Sequence, residues 1–453
     1  MKINRRELVK NLALASGAAA LGASWLFSSS TSARTVLPSL PNPGNSRIDH
    51  VVVVTMENRS FDHFLGWLPN ADGKQAGLTY VDKQGVAHHT HSLSGDYTGC
   101  PHPDPDHSYD GGRVEYDAGK MDGFLRAGTN DIYSIGYYGK ADIPFYAALA
   151  QHYTTCDRYF PSILGPTFPN RIFLHAAQTD RLSNTATPTT LPTIWDKLLA
   201  AGVSANYYYN NLPFLGLWGP KYVAISRPYA DFLAAASAGT LPAVSFIDPI
   251  YTVLDDGTGN DDHPHADIRK GDRFLYDTFE AVAHGPKWPN TVFIVNFDEW
   301  GGFFEHVRPP RAAAPNNVDP DLVNGKALLG FRVPTVIASP FSLGDPKNPR
   351  VSALIYDHTS VLKLIEWRWG LSPLTARDAS NDVYNLAYAL DFGDQDNAVP
   401  TLPQPVAPLL GAPCLGSGGI LGGATAPAPT PESNVWSELG RSAAANGFAV
   451  KLS

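Results

Sequence analysis

The chain has 453 residues, a formal net charge of −9, 17% charged residues and 11% aromatics. So few charges and so many aromatics exclude a disordered chain, and 40 glycines without a three-residue period exclude collagen. No basic stripe provides a nucleic-acid footprint, so nucleic acid is not an expected partner.

The N-terminus reads as an export signal. Lys2, Arg5, Arg6 and Lys10 are basic, and the small-residue-rich apolar stretch Leu12 to Phe27 is shorter than the ~20 residues of a membrane span. Asn4-Arg5-Arg6-Glu7-Leu8-Val9-Lys10 resembles a twin-arginine signal, a route that carries folded proteins. Residues 1–33 are therefore expected to be removed after Ala33, giving a soluble periplasmic or secreted protein; a short N-terminal anchor is the alternative. Residues 34–47 are a Pro/Ser-rich linker.

Ile48 to Thr55 is a continuous apolar run, the pattern of a strand buried on both faces of a parallel sheet. Similar runs recur at Ala243–Ile247, Thr291–Phe297 and Pro334–Ser339. Helical periodicity lies at Ile194–Ala201, Tyr229–Ala236, Arg273–Ala283 and Ser360–Trp367. This alternation predicts an α/β fold with a mostly parallel sheet flanked by helices. One large domain is expected over 48–398, with residues 64–140, rich in Gly, Tyr, His and Asp, as a cap insertion. Residues 399–453 are a Pro/Gly/Ala-rich tail, with a short helix at Val435–Ala445. Cys100, Cys156 and Cys414 allow at most one disulfide, and the sequence leaves its pairing open.

In open α/β sheets, ligands bind beyond the carboxyl ends of the strands. The first strand is followed by Glu57-Asn58-Arg59-Ser60 and the Thr291–Phe297 strand by Asp298-Glu299-Trp300-Gly301-Gly302. Two acidic clusters meeting in one crevice would repel, and burying unpaired carboxylates costs several kcal/mol, on the order of what a bound cation offsets. All-oxygen ligands favour a hard divalent ion: Ca²⁺, Mg²⁺ or Mn²⁺. The plainer alternative is helix capping by Asn58 or Asp298 with solvated glutamates. Thr167 follows the Gly165-Pro166 turn at or near a helix N-cap, where exposed N–H groups bind anions. A hydroxyl beside a hard cation can lose its proton and attack phosphorus. His107, His263, His306 and His358 lie in polar loops or before helices, where imidazoles bind phosphate or protonate a leaving alkoxide, or merely cap and solvate.

Together these stretches resemble bacterial phospholipases C, the related acid phosphatases and the plant non-specific phospholipases C. The matching segments are His50 to Gly66, Gly165 to Arg171, Asp262-His263-Pro264, Phe297 to Pro310 and Tyr356 to Gly370, in the family's order. The resemblance implies an alkaline-phosphatase-like sandwich. It implies one divalent metal held by Glu57, Asn58, Thr167, Asp298 and Glu299. Thr167 becomes the nucleophile, Asn58 also holds phosphate, and His107 and His263 contact phosphate and handle the leaving group. His306 and His358 carry over more weakly as phosphate contacts.

Departures from the family are Glu305, where aspartate is frequent, and Trp300, which at a crevice rim would contact a choline headgroup by cation–π attraction or merely pack. The implied activity is hydrolysis of phosphatidylcholine-type phospholipid with transient membrane-surface contact. The alternatives are a broad-specificity acid phosphatase on soluble monoesters and a non-catalytic surface-binding protein. An apolar mouth lined by Trp67, Tyr137, Tyr138, Phe145 and Trp218 would favour lipid.

Overall fold

The computed structural model describes residues 37, 39–252, 259–408, 414 and 431–451, with the side chains of 431 and 432 left aside. The expected signal (1–33) and most of the linker-like part of the tail lie outside the described residues. Everything below concerns the unit from Leu40 onward.

The core is one eight-stranded sheet. In chain order its strands are β1 (His50–Met56), β2 (Thr154–Cys156), β3 (Ala205–Tyr209), β4 (Ser226–Pro228), β5 (Val244–Ile247), β6 (Thr291–Phe297), β7 (Val336–Ala338) and β8 (Val351–Ser352). They lie side by side as β8-β2-β7-β6-β1-β5-β3-β4. Only β7 runs against its neighbours. Every residue of β1 and β6 is buried, which is why both read as unbroken apolar runs.

The main helices are α1 (Pro144–His152), α2 (Thr167–Ala176), α3 (Ile194–Ala200), α4 (Tyr229–Ala238), α5 (Ile268–Ala283), α6 (His358–Trp369) and α7 (Pro431–Ala445). α2 packs on α3 and α6, while α1 and α4 pack on α5. The expected α/β sandwich is present. Helix α5 begins five residues before the expected Arg273 because Asp267 caps it, its carboxylate accepting from the Arg269 N–H at 3.0 Å. No helix among the described residues is long and apolar enough to cross a membrane.

Residues 64–140 contain only short elements: an antiparallel pair (Thr79–Val81 with Ala87–His89), a parallel pair (His91–Ser92 with Gly136–Tyr137) and a helix at Tyr109–Tyr116. Tyr80, Phe124, Leu125 and Ile135 form a second apolar core with Leu164, Trp300, Phe304 and Phe331. Trp300 is fully buried there and donates its indole N–H to Glu115 at 2.7 Å. It is therefore a core residue and not a rim contact for choline. Tyr138, Phe145 and Trp218 are likewise buried in the main core, so the anticipated aromatic mouth is not formed by them. The tail helix begins at Pro431, four residues before the expected Val435. Cys100 pairs with Cys414, and Cys156 is free and buried.

Candidate active site

Strand register brings the acidic residues together. Met56 of β1 pairs with Phe297 of β6, so Glu57 and Asp298 leave adjacent strands at the same level. Val54 pairs with Ile247 of β5, which carries Asp248 to the other side of β1. Three carboxylates thus share the carboxyl end of the sheet, where ligands bind in such folds.

Two left-handed positions shape the turn. Asn58 has φ 57°, tolerated because its short polar side chain suits that region. Gly301 has φ 65°, and a Cβ there would sit 2.1 Å from the Asn58 carbonyl oxygen. Only glycine lets the two turns approach this closely. The Asn58 N–H donates to Asp298 Oδ1 at 3.2 Å, and the Gly301 N–H to Glu299 Oε2 at 2.6 Å. The Glu57 N–H donates to the Asp261 carbonyl at 2.8 Å, tying in the loop that carries His263.

Thr167 is the first residue of α2, with Pro166 as the N-cap. Its hydroxyl donates to Glu57 Oε2 at 3.3 Å. One turn on, Arg171 lies on the same helix face. Its guanidinium donates to Glu57 Oε1 at 2.7 Å, Asp298 Oδ2 at 3.0 Å and Asp248 Oδ1 at 2.9 Å. Tyr207 donates its hydroxyl to the same Asp248 carboxylate. Arg171 and Asp248 were not singled out from the sequence. The spacing of Arg171 four residues after Thr167 is the signal that was available. The anion site expected from free N–H groups is reduced: Asn184 takes the Phe168 N–H at 2.8 Å, and Pro169 has none.

The charge count is unbalanced. Glu57, Asp248 and Asp298 are buried around one guanidinium, and Glu299, next to Asp298 in the chain, is buried as well. Burial pushes the Glu57 carboxyl well above its usual range, Asp298 adds to this and Arg171 opposes it. Burial pushes Glu299 up to about 8, against the attraction of His107. Among the described residues, Asn58 Oδ1 and Glu299 Oε1 are buried oxygens with no hydrogen-bond partner. Orphaned acceptors at a carboxylate cluster fit a cation, and the all-oxygen set of Glu57, Asn58, Thr167, Asp298 and Glu299 fits a hard one.

His107 joins this group. Its Nε2 lies 3.3 Å from Asn58 Nδ2 and 3.9 Å from Glu299 Oε1, and its Nδ1 is 2.8 Å from the Pro105 carbonyl. His263 stands beside it, ring centroids 5.8 Å apart, with Nδ1 3.0 Å from the Pro264 carbonyl. Asp104, His107 and His263 bring ligand-type atoms within 4.8 Å of one another.

The other two histidines are committed elsewhere. His358 is fully buried, with Nε2 2.7 Å from the Asp298 carbonyl and Nδ1 3.2 Å from the Tyr159 hydroxyl. It braces the backbone of Asp298 instead of facing a phosphate. His306 lies in a second group with Asp62 and Glu305, its Nδ1 2.5 Å from Asp62 and its Nε2 3.2 Å from Asp72. Arg332 neutralises that group through Glu305 at 2.7 Å and Asp62 at 3.3 Å. No bond of His306 among the described residues reaches Glu57, Asn58, Thr167, Asp298 or Glu299.

The model of the Phosphoesterase family matches residues 48–372. The chain belongs to the phosphoesterase family and is a hydrolase of phosphoester bonds. It is 32% identical to non-specific phospholipase C6 of Arabidopsis thaliana over 375 residues, covering 74% of this chain and 71% of that one. It is 31% identical to phospholipase C A of Mycobacterium tuberculosis, covering 90% and 89%. Among solved structures, a protein of the alkaline phosphatase superfamily from Vibrio parahaemolyticus aligns at a TM-score of 0.34 and 10% identity, covering 74% and 69%.

Proposed function

We propose that the protein is an exported, metal-dependent phospholipase of the C type, hydrolysing phosphatidylcholine-like lipids to diacylglycerol and a phosphorylated headgroup through a phospho-threonine intermediate. The observation that carries this reading is the buried Thr167 hydroxyl, 3.3 Å from Glu57 in a crevice whose carboxylates outnumber its one arginine. The relatives named phospholipase C support the substrate class.

Glu57, Asn58, Thr167, Asp298 and Glu299 would hold one divalent ion of the Ca²⁺, Mg²⁺ or Mn²⁺ type. When bound, it lowers the pKa of the hydroxyl and neutralises phosphate oxygens. Thr167 Oγ attacks phosphorus, its proton passing to the Glu57 carboxylate that accepts its hydrogen bond, and the bond to the glycerol oxygen breaks. An imidazole of the His107–His263 pair gives its proton to the departing alkoxide. Water then attacks the phospho-threonine, giving its proton to the same imidazole, and the departing Thr167 oxygen takes its proton back from Glu57. Arg171 keeps Glu57 and Asp298 in place throughout. The twin-arginine-like leader would export the folded enzyme.

The test pairs two substrates with one variant. Headgroup release from phosphatidylcholine vesicles and hydrolysis of a soluble monoester are measured for wild type and Thr167→Ala. Lipid turnover that falls at least ~10³-fold in the variant is expected. Monoester turnover without lipid turnover would make the enzyme an acid phosphatase.

A further inference from the structure

A cavity of about 440 Å³ opens beside the reaction centre, within the ~300–1,000 Å³ typical of small-molecule sites. One side is the Asp104–Asp110 loop that carries His107, and the floor includes Pro166, the residue before Thr167. Leu182 and Asn184 continue the wall, and Val435 of α7 closes it. Residue 435 lies beyond the 48–372 span matched by the family model.

Two independent contacts hold α7 there. The ring of Trp436, next to Val435, meets Phe168 at 4.8 Å and Tyr251 at 4.4 Å between centroids. Phe168 follows Thr167, and Tyr251 supports the Arg171 guanidinium 4.9 Å from its own centroid. Gly216 lies so close to α7 that a Cβ on it would be 2.8 Å from Ala443 Cβ. A helix anchored at its side and towards its far end is a fixed wall.

We propose that α7 forms one wall of the substrate pocket and that Val435 is a specificity-determining residue. Its side chain sets the width available to the alcohol portion of the phosphate ester. The position of the cavity beside His107 assigns it to the group that departs, and Pro166, Leu182 and Val435 give that group an apolar face. This inference rests on the phosphoesterase reading of Thr167 and adds the residue that selects among its esters.

Binding to the Thr167→Ala protein separates the two ideas, because no chemistry is required. Calorimetric Kd values are measured for inorganic phosphate, which reads the reaction centre, and for monomeric dihexanoyl-phosphatidylcholine, which also fills the cavity. The comparison is made with Val435, Val435→Phe and Val435→Ala. We expect the lipid-to-phosphate Kd ratio to rise about tenfold in Val435→Phe and to fall in Val435→Ala. Unchanged melting curves exclude misfolding, and the alanine variant, which adds no bulk, keeps the test decisive if the larger side chain unfolds α7. The same ratio in all three proteins would overturn the proposal. So would phosphate binding with no lipid binding in any form. Failure of the functional reading has a different signature: lipid bound as expected but not turned over when Thr167 is present.

Discussion

Thr167, Glu57 and Arg171 form the smallest unit of the account: a hydroxyl, an acid that accepts its hydrogen bond and a cation that fixes the acid. Removing Arg171 would leave Glu57, Asp248 and Asp298 buried without their shared partner, a loss of the 3–5 kcal/mol order. Arg171→Met should therefore lower the chemical-denaturation stability far more than Thr167→Ala does. Glu57→Gln keeps the shape but removes a charge. It should retain the fold while binding less divalent metal, as read by elemental analysis after dialysis; a metal-replete, active Glu57→Gln would sink its role as ligand.

Asp272 supplies a pH effect remote from the crevice. Burial pushes its carboxyl up to about 7, although it accepts the N–H groups of Phe145 and Tyr146 at the start of α1. Between about pH 4 and 7 the unfolded chain has released a proton that the folded chain still holds. Stability therefore falls as pH rises through that window, reaching a plateau above it. In Asp272→Asn this slope should become shallower by one group's share, a change visible in urea midpoints measured at pH 4.5, about 6 and 8 whatever the absolute stability. A slope identical to wild type would assign the effect to other groups.

At the scale of elements, the parallel register of β1, β5 and β6 does the positioning, because strands that end together deliver their next residues together. α7 is the element whose contribution to the crevice is least like a tail. Trp436→Ala should cost ~3–5 kcal/mol by the cavity it leaves against Phe168 and Tyr251. It should also raise KM more than a stability loss alone explains. Differential scanning calorimetry and steady-state kinetics on one preparation provide both numbers.

The strands β1 and β6 were legible because burial on both faces leaves an uninterrupted apolar run. Glu57, Asn58, Asp298 and Glu299 were legible as the polar residues after those runs. The reversed direction of β7 was not, since direction leaves no trace in a three-residue strand. Within residues 64–140, the His91–Ser92 strand is held by a pairing partner far away in sequence, Gly136–Tyr137. Asp248 and Arg171 gain their place only once three strands and a helix are assembled. Trp300 looked like a rim residue from its position after Asp298-Glu299. The second apolar core around Phe124 and Phe331, which encloses it, has no local signature.

For the whole molecule, the cap core, the main sheet and the tail are joined around one crevice. The Cys100–Cys414 bridge closes a loop of sequence separation 314, and its removal should cost ~2–5 kcal/mol. A fusion of residues 1–33 to a reporter, with Arg5 and Arg6 changed to Lys, should lose export if the leader uses the twin-arginine route; unaffected export would contradict it.

The claim on which the rest depends is that Thr167 becomes phosphorylated during turnover. Enzyme mixed with short-chain phosphatidylcholine and quenched in acid within one turnover should yield a peptide whose Thr167 carries the phosphorylated headgroup, identified by mass spectrometry, and Thr167→Ala should yield none. Rapid hydrolysis with Thr167 unmodified and inversion of configuration at phosphorus would contradict the account, because it would mean that water attacks directly.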